Sequence, residues 1–190
     1  MCARDTGIYL GIFISFAYIF LRGRFKADRM ISPWQAIFLF LIMFPMIWDG
    51  GTSYLGLRET NNSYRLFTGT YFGMTIPLFL VPAANFKIQG HNNSAVLEKW
   101  WELPVLLAAS SLCCLAVLSN GLVPWLLIST ITVGIFIFTI GRVVYTIVAR
   151  TYIINTRYWL MTTAGATLGI LGIMFLVSSF ILQPLKRMLL

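Results

Sequence analysis

Apolar residues fill the chain in six long runs, and the short stretches between them hold nearly all of its charged and amide side chains. The runs are Gly7 to Leu21, Pro33 to Trp48, Leu66 to Val81, Pro104 to Leu118, Leu122 to Gly141 and Tyr158 to Leu182. A helix that crosses a bilayer needs about 17 to 25 such residues, so each run is a candidate crossing. Little chain is left over for a soluble domain. The expectation is an all-α integral membrane protein, a bundle of six transmembrane helices forming a single domain over residues 1–190.

The joints between runs carry their own signals. Ser32 is suited to cap a helix, and Pro33 is favourable in a first turn. Trp34 and Trp48 stand near the two ends of the second run, as aromatic interfacial belts require. Asp49-Gly50-Gly51-Thr52 follows directly and is expected to break that helix. Arg58, Asn61 or Asn62, Arg65 and Thr68 recur at helical spacing, which draws a polar stripe leading into the third run. The segment from Pro82 to Glu98 is rich in amides and reads as a solvated connector, with Trp100 and Trp101 opening the fourth run. Ser119-Asn120-Gly121 makes a short turn before the fifth.

One element repeats. Thr6-Gly7-Ile8-Tyr9-Leu10-Gly11 and Thr68-Gly69-Thr70-Tyr71-Phe72-Gly73 share the pattern Thr-Gly-x-Tyr-x-Gly 62 positions apart, each with an arginine just upstream, Arg4 and Arg65. Glycines four apart weaken a water-exposed helix by about 1 kcal/mol each. In lipid, small residues at that spacing let two backbones approach closely. Gly7, Gly11, Gly69 and Gly73 are therefore expected to pack the first helix against the third. Gly165 and Gly169 repeat the spacing in the sixth run.

Composition agrees with the pattern: 58% of residues are hydrophobic and 11% charged, against about 25% charged in soluble domains. A net charge of +8 would suggest nucleic acid in a soluble protein. Here it is read through the excess of Lys and Arg in cytoplasmic loops, and no nucleic-acid partner is expected. Arg22, Arg24, Lys26, Arg29, Lys87, Lys99, Arg142, Arg150 and Arg157 fall on one side of a six-crossing topology; Arg4, Arg58, Arg65, Lys186 and Arg187 fall on the other. That split places the N-terminus and the C-terminus both outside. The location implied is the prokaryotic cytoplasmic membrane, as a multi-pass protein.

The basic cluster follows the first apolar run, the reverse of a secretory signal, so that run is expected to stay in the mature protein. Three cysteines give no disulfide framework. Cys113 and Cys114 lie within the fourth run as small apolar fillers. Cys2, near Asp5 and Asp49, makes only a weak metal motif, and no metal site is assigned. The only histidine, His91, reads as a solvated loop residue, which also excludes a Ser-His-Asp triad. Arg142 is read as snorkelling to the interface.

The candidate ligand-binding set is Arg4, Asp5, Asp49, Thr52, Arg58, Glu59, Asn61, Asn62 and Arg65. Ionisable groups close to a membrane interior are costly unless paired or facing water, which makes such a concentration functional by default. The bland alternative is that these groups terminate helices in the headgroup zone and pair with one another. Asp49, beside two glycines, suits a cation, a proton or a cap. Arg58 and Arg65 suit phosphate or carboxylate, because a guanidinium bonds in two places at once.

Cys2-Ala3-Arg4-Asp5-Thr6-Gly7-Ile8-Tyr9-Leu10-Gly11, then Asp49-Gly50-Gly51-Thr52, then Gly56 through Gly69 resemble a prokaryotic predicted-membrane-protein family, domain of unknown function 2085. The resemblance covers roughly the first eighty residues. That family typically reads Cys-x-Arg-Cys-Thr-Gly-Ile-Tyr after a Cys-His segment. Here Asp5 stands in place of the second cysteine, and no Cys-His segment lies within the chain. The resemblance implies a membrane protein and assigns no activity. The leading expectation is a polar pocket at the outer face that binds or transports a small polar solute or an anionic lipid headgroup. The alternatives are a lipid-modifying hydrolase or transferase, with Asp49 or Glu59 as base and Arg58 and Arg65 steadying phosphate, and a noncatalytic subunit of a membrane complex. Catalytic residues and cofactors stay unassigned; membrane lipids are the expected partners.

Overall fold

A computed structural model of the chain describes residues 2–54, 60–85 and 93–119, together with positions 131, 133, 134, 137, 140, 141, 144, 165, 168, 169 and 172. Among them are four α-helices: α1 (Ala3–Leu21), α2 (Pro33–Tyr54), α3 (Asn62–Asn85) and α4 (Glu102–Leu118). By internal contacts the chain divides into two units, Met1–Ile137 and Phe138–Leu190. All four helices belong to the first. In the second, the described residues are isolated helical positions. Runs five and six, with Arg142, lie almost wholly outside the described residues.

α1 ends where Gly23 takes φ 63°, a left-handed value that favours glycine. Gly23 N donates to Phe20 O (2.9 Å) and Arg24 N to Ile19 O (2.9 Å), the pair of bonds that closes a Schellman C-cap. α2 opens with half a capping box: Ser32 N donates to Gln35 Oε1 (3.2 Å). Two boundaries differ from the sequence expectation. Gly50 and Gly51 do not break α2, which runs on to Tyr54; two glycines weaken a helix without forbidding it, and Thr52 Oγ1 bonds back to Trp48 O (2.8 Å). α3 likewise passes through Pro77 and Pro82 to Asn85. Proline inside a membrane helix is tolerated because neighbouring groups re-satisfy the freed backbone.

α1 and α3 form the centre. A methyl group at Gly7 would stand 2.9 Å from Thr70 N, one at Gly11 2.6 Å from Met74 N, and one at Gly73 2.7 Å from Ile8 C. Partner numbers rise together along the two helices, so α1 and α3 run parallel. Ser15 Oγ donates to Met74 O across the seam (2.6 Å). α2 returns antiparallel, with the Phe40 and Phe79 rings 5.3 Å apart. α4 closes on the pair through Cys114 Sγ to Thr70 Oγ1 (3.1 Å) and Tyr71 to Ser111 (2.9 Å between hydroxyls).

Small hydroxyls are buried beside an apolar core, and the outward face of α2 is apolar as well. Ser15, Thr70, Thr75 and Ser110 are fully buried, while Trp34, Phe40, Leu41, Phe44, Ile47 and Trp48 on α2 are exposed. In water, so broad an apolar face would demand a partner; against lipid it is the expected exterior. Ala3–Leu21, Pro33–Ser53 and Asn62–Ala83 are long and apolar enough to cross a membrane, whereas α4 is shorter at 17 residues. The described residues therefore show an all-α membrane protein with three candidate spans.

Candidate functional site

Because α1 and α3 run parallel and α2 runs against them, the starts of α1 and α3 meet the finish of α2 at one end. Arg4, Asp49 and Arg65 are brought together there from three different helices. Arg4 Nη2 donates to Asp49 Oδ2 at 2.5 Å, with a longer bond to Asp49 O at 3.5 Å. The Asp49 side chain is 1% exposed and that of Arg4 16%. Removing one member of a buried pair costs about 3–5 kcal/mol, because the other is left as an uncompensated charge.

Thr60 extends the arrangement. Its hydroxyl accepts from Arg65 Nε at 2.8 Å and lies 3.3 Å from Ser53 Oγ. The Thr60 hydroxyl also reaches toward the Asp49 carboxylate without closing a hydrogen bond of ordinary length, and Arg65 acts on that carboxylate through its charge. Two atoms at the centre are nevertheless buried without a hydrogen-bond partner among the described residues, Asp49 Oδ1 and Arg4 Nε. An ionised carboxylate oxygen can only accept, and a guanidinium nitrogen can only donate. One bare acceptor and one bare donor thus lie in the same ion pair.

The other predicted residues fall differently. Asp5, Asn61 and Asn62 are exposed, and Thr52 is turned onto its own helix. Arg58, Glu59 and His91 lie outside the described residues. Gly7, Gly11, Gly69 and Gly73 sit at the α1–α3 contact. Thr60 and Ser53 were not in the predicted set; the cue for Thr60 was its place inside the polar stretch before α3. Among the described residues no three His, Cys, Asp or Glu side chains converge.

The opposite end holds a second buried carboxylate that the sequence reading passed over. Glu102, the first residue of α4, is fully buried. It accepts from Arg24 Nη1 on both oxygens (2.9 Å each), Arg22 Nη2 (3.3 Å), and the amides of Glu98 (2.9 Å) and Lys99 (3.3 Å). Burial opposes its charge, but Arg24 and the two amides outweigh burial and hold the carboxyl below the usual glutamate range. Arg22 also lies over the Tyr18 and Trp101 rings, at 5.8 and 5.4 Å. Nearby, Ser94 N donates to Asp28 Oδ1 (3.0 Å) and Asn85 Nδ2 to Phe25 O (2.8 Å).

Residues 93–98 are therefore not the solvated connector expected from their amide-rich flank. Ala95, Val96 and Leu97 are buried, and the segment is clasped to residues 24–29. The cue was that apolar triplet. The two ends differ in one respect: both Glu102 oxygens have partners, whereas one Asp49 oxygen has none within hydrogen-bonding distance among the described residues.

No solved structure matches the chain. An uncharacterized protein of Methanocaldococcus jannaschii is 35% identical over 83 residues, which are 43% of this chain and 51% of the relative. An uncharacterized protein of Methanothermobacter thermautotrophicus is 36% identical over 74 residues, 39% of this chain and 62% of the relative. The chain thus spans between half and two thirds of the curated relatives it matches. Residues 1–79, the segment holding Arg4, Asp49, Arg65 and both glycine pairs, match the model of a family described as predicted membrane protein, DUF2085.

Proposed function

We propose that the end where α1 and α3 begin and α2 finishes receives a small polar solute or an anionic lipid headgroup, for binding or for transport. The chain carrying it crosses the prokaryotic cytoplasmic membrane six times as a single helical domain, with both termini outside. The observation that carries this reading is Asp49, 1% exposed, with one oxygen on Arg4 and the other without a hydrogen-bond partner among the described residues. A buried acceptor left bare costs about 1–3 kcal/mol or more, so a folded protein holds one where something polar is to be met. The proposed orientation has support at the opposite end, where Arg22, Arg24, Lys26, Arg29 and Lys99 gather, as a cytoplasmic face would have them.

The test uses the full chain in a nonionic detergent, titrated with inorganic phosphate and with short-chain phosphatidylglycerol while unfolding is followed by tryptophan fluorescence. A saturable rise in Tm with either probe, abolished in Asp49→Asn and in Arg65→Gln, is expected, with both variants retaining helical circular dichroism. A rise that survives both substitutions removes the reading.

A further inference from the structure

We infer that the end where α1 finishes and α4 begins is a contact surface for anionic phospholipid headgroups, with Lys26, Arg29 and Lys99 as its cations and Trp34, Trp100 and Trp101 as the interfacial anchors beside them. This surface lies at the opposite end of the helices from the site proposed above and stands independently of it.

The first observation is charge. At the Arg4 end the described side-chain charges cancel, Arg4 and Arg65 against Asp5 and Asp49. At the Glu102 end they do not: Arg22, Arg24, Lys26, Arg29 and Lys99 stand against Asp28, Glu98 and Glu102, five cations to three carboxylates. The ion pairs at this end engage Arg22 and Arg24. Lys26, Arg29 and Lys99 are exposed and pair with no carboxylate among the described residues.

The second observation is height. A free loop after α1 would carry its cations off into water, but this one is held down. The amides of Asp28 and Arg29 both donate to Ser94 O (3.0 and 2.9 Å), and Arg24 Nη1 donates to Val96 O (3.1 Å). Ala27, Ile31, Val96 and Leu97 are buried in one core with Ile19, from the last turn of α1, and Leu103, from the first turn of α4. Segments tied in this way stay at the level of the helix ends. Their three bare cations stay there with them.

The third observation chooses lipid over an acidic protein. Trp34 lies in the first turn of α2, Trp100 and Trp101 lie directly before α4, and all three rings are exposed. An indole with one apolar body and one N–H is favoured at the boundary between hydrocarbon and headgroups. Phe20 and Leu21, exposed at the finish of α1, mark the hydrocarbon side of that boundary. The opposite charge nearest to cations set just beyond such a belt is lipid phosphate, and Lys or Arg held near a bilayer surface attracts anionic lipid.

The full chain is reconstituted at low salt into phosphatidylcholine vesicles that contain a minor fraction of acyl-brominated lipid, either phosphatidylglycerol or phosphatidylcholine. Tryptophan quenching then reports the local fraction of each. Phosphatidylglycerol is expected to be enriched around the protein about fivefold over phosphatidylcholine, the ratio that one Lys or Arg near a bilayer surface supports. The ratio falls toward one when Lys26→Gln, Arg29→Gln and Lys99→Gln are combined, and also in about 1 M salt, where screening reaches about 3 Å. Arg65→Gln, at the other end, leaves it unchanged. Equal quenching by the two lipids in the unsubstituted chain overturns the inference and leaves the cations to an acidic protein. An enrichment that survives the triple substitution, or that Arg65→Gln removes, puts the lipid elsewhere and overturns it as well. The comparison at low and high salt needs no variant to fold.

Discussion

The α1–α3 seam gives the sharpest quantitative test of the packing. A methyl group added at Gly11 would stand 2.6 Å from Met74 N and 2.9 Å from Thr70 C, where relaxed carbon contacts lie at about 3.5–4.0 Å. Those atoms are backbone and have no rotamer to change, so in Gly11→Ala one helix must retreat by roughly 1 Å. A gap of about 0.5–1 Å forfeits a quarter to a half of each dispersion contact it opens, and overpacked sites cost about 1–3 kcal/mol. Alanine restores about 1 kcal/mol of helix propensity. The net effect is a destabilisation of up to about 2 kcal/mol, toward the upper end because the clashing atoms are backbone. Gly51, also helical, has nothing within 4 Å of the same methyl position. Gly51→Ala therefore gains propensity alone, up to about 1 kcal/mol of stabilisation. The assay is unfolding of the full chain in mixed micelles by increasing dodecyl sulfate, read by circular dichroism. Opposite signs for the two variants are expected, and a Gly11→Ala protein as stable as Gly51→Ala refutes close backbone packing at this seam.

Arg4→Gln should destabilise the same transition by about 3 kcal/mol, the low end for a buried pair because Arg4 is 16% exposed; adding Asp49→Asn should recover most of it in a double-mutant cycle. Ser15→Ala loses the bond to Met74 O and should cost about 0.6–1 kcal/mol in the same unfolding experiment. Glu102 has a depressed carboxyl, so the stability it supplies is complete above the unfolded glutamate value of about 4.3 and is lost as pH falls through its lower folded value. Unfolding midpoints should therefore drop on acidification in the wild type, and Glu102→Gln should be less stable at neutral pH and flatter in acid. Cys2 is exposed while Cys114 is buried, so a membrane-impermeant maleimide should label Cys2 in intact cells; labelling confined to inverted vesicles would reverse the proposed orientation.

How much of this could be read from residues alone depends on the range of the interaction. The glycine repeat was legible because the demand it answers is local: a helix that must lie against another backbone needs no side chain every fourth position, and Gly7, Gly11, Gly69 and Gly73 announce that directly. Once α1 and α3 are parallel neighbours with one helix joining them, that helix must run back, so Arg4, Asp49 and Arg65 necessarily share an end. The pairing within that end was not legible. Asp5 is adjacent to Arg4 in sequence, yet successive residues on a helix do not face each other, and the partner is Asp49 from α2. Short-range punctuation misled where it was strongest: Gly50, Gly51 and Pro82 read as breaks and lie within helices, because a weak point yields to a bilayer that forbids unpaired backbone. The clasp at Glu102 escaped for the complementary reason. Its acceptors are met by Arg22 and Arg24 from a loop far away in sequence, and only the apolar triplet Ala95-Val96-Leu97 hinted that this amide-rich segment folds inward. A saturated carboxylate and an unsaturated one can look alike in a sequence. They differ in how many donors the fold delivers to each, and the proposed ligand site rests on the Asp49 oxygen that the described residues leave over.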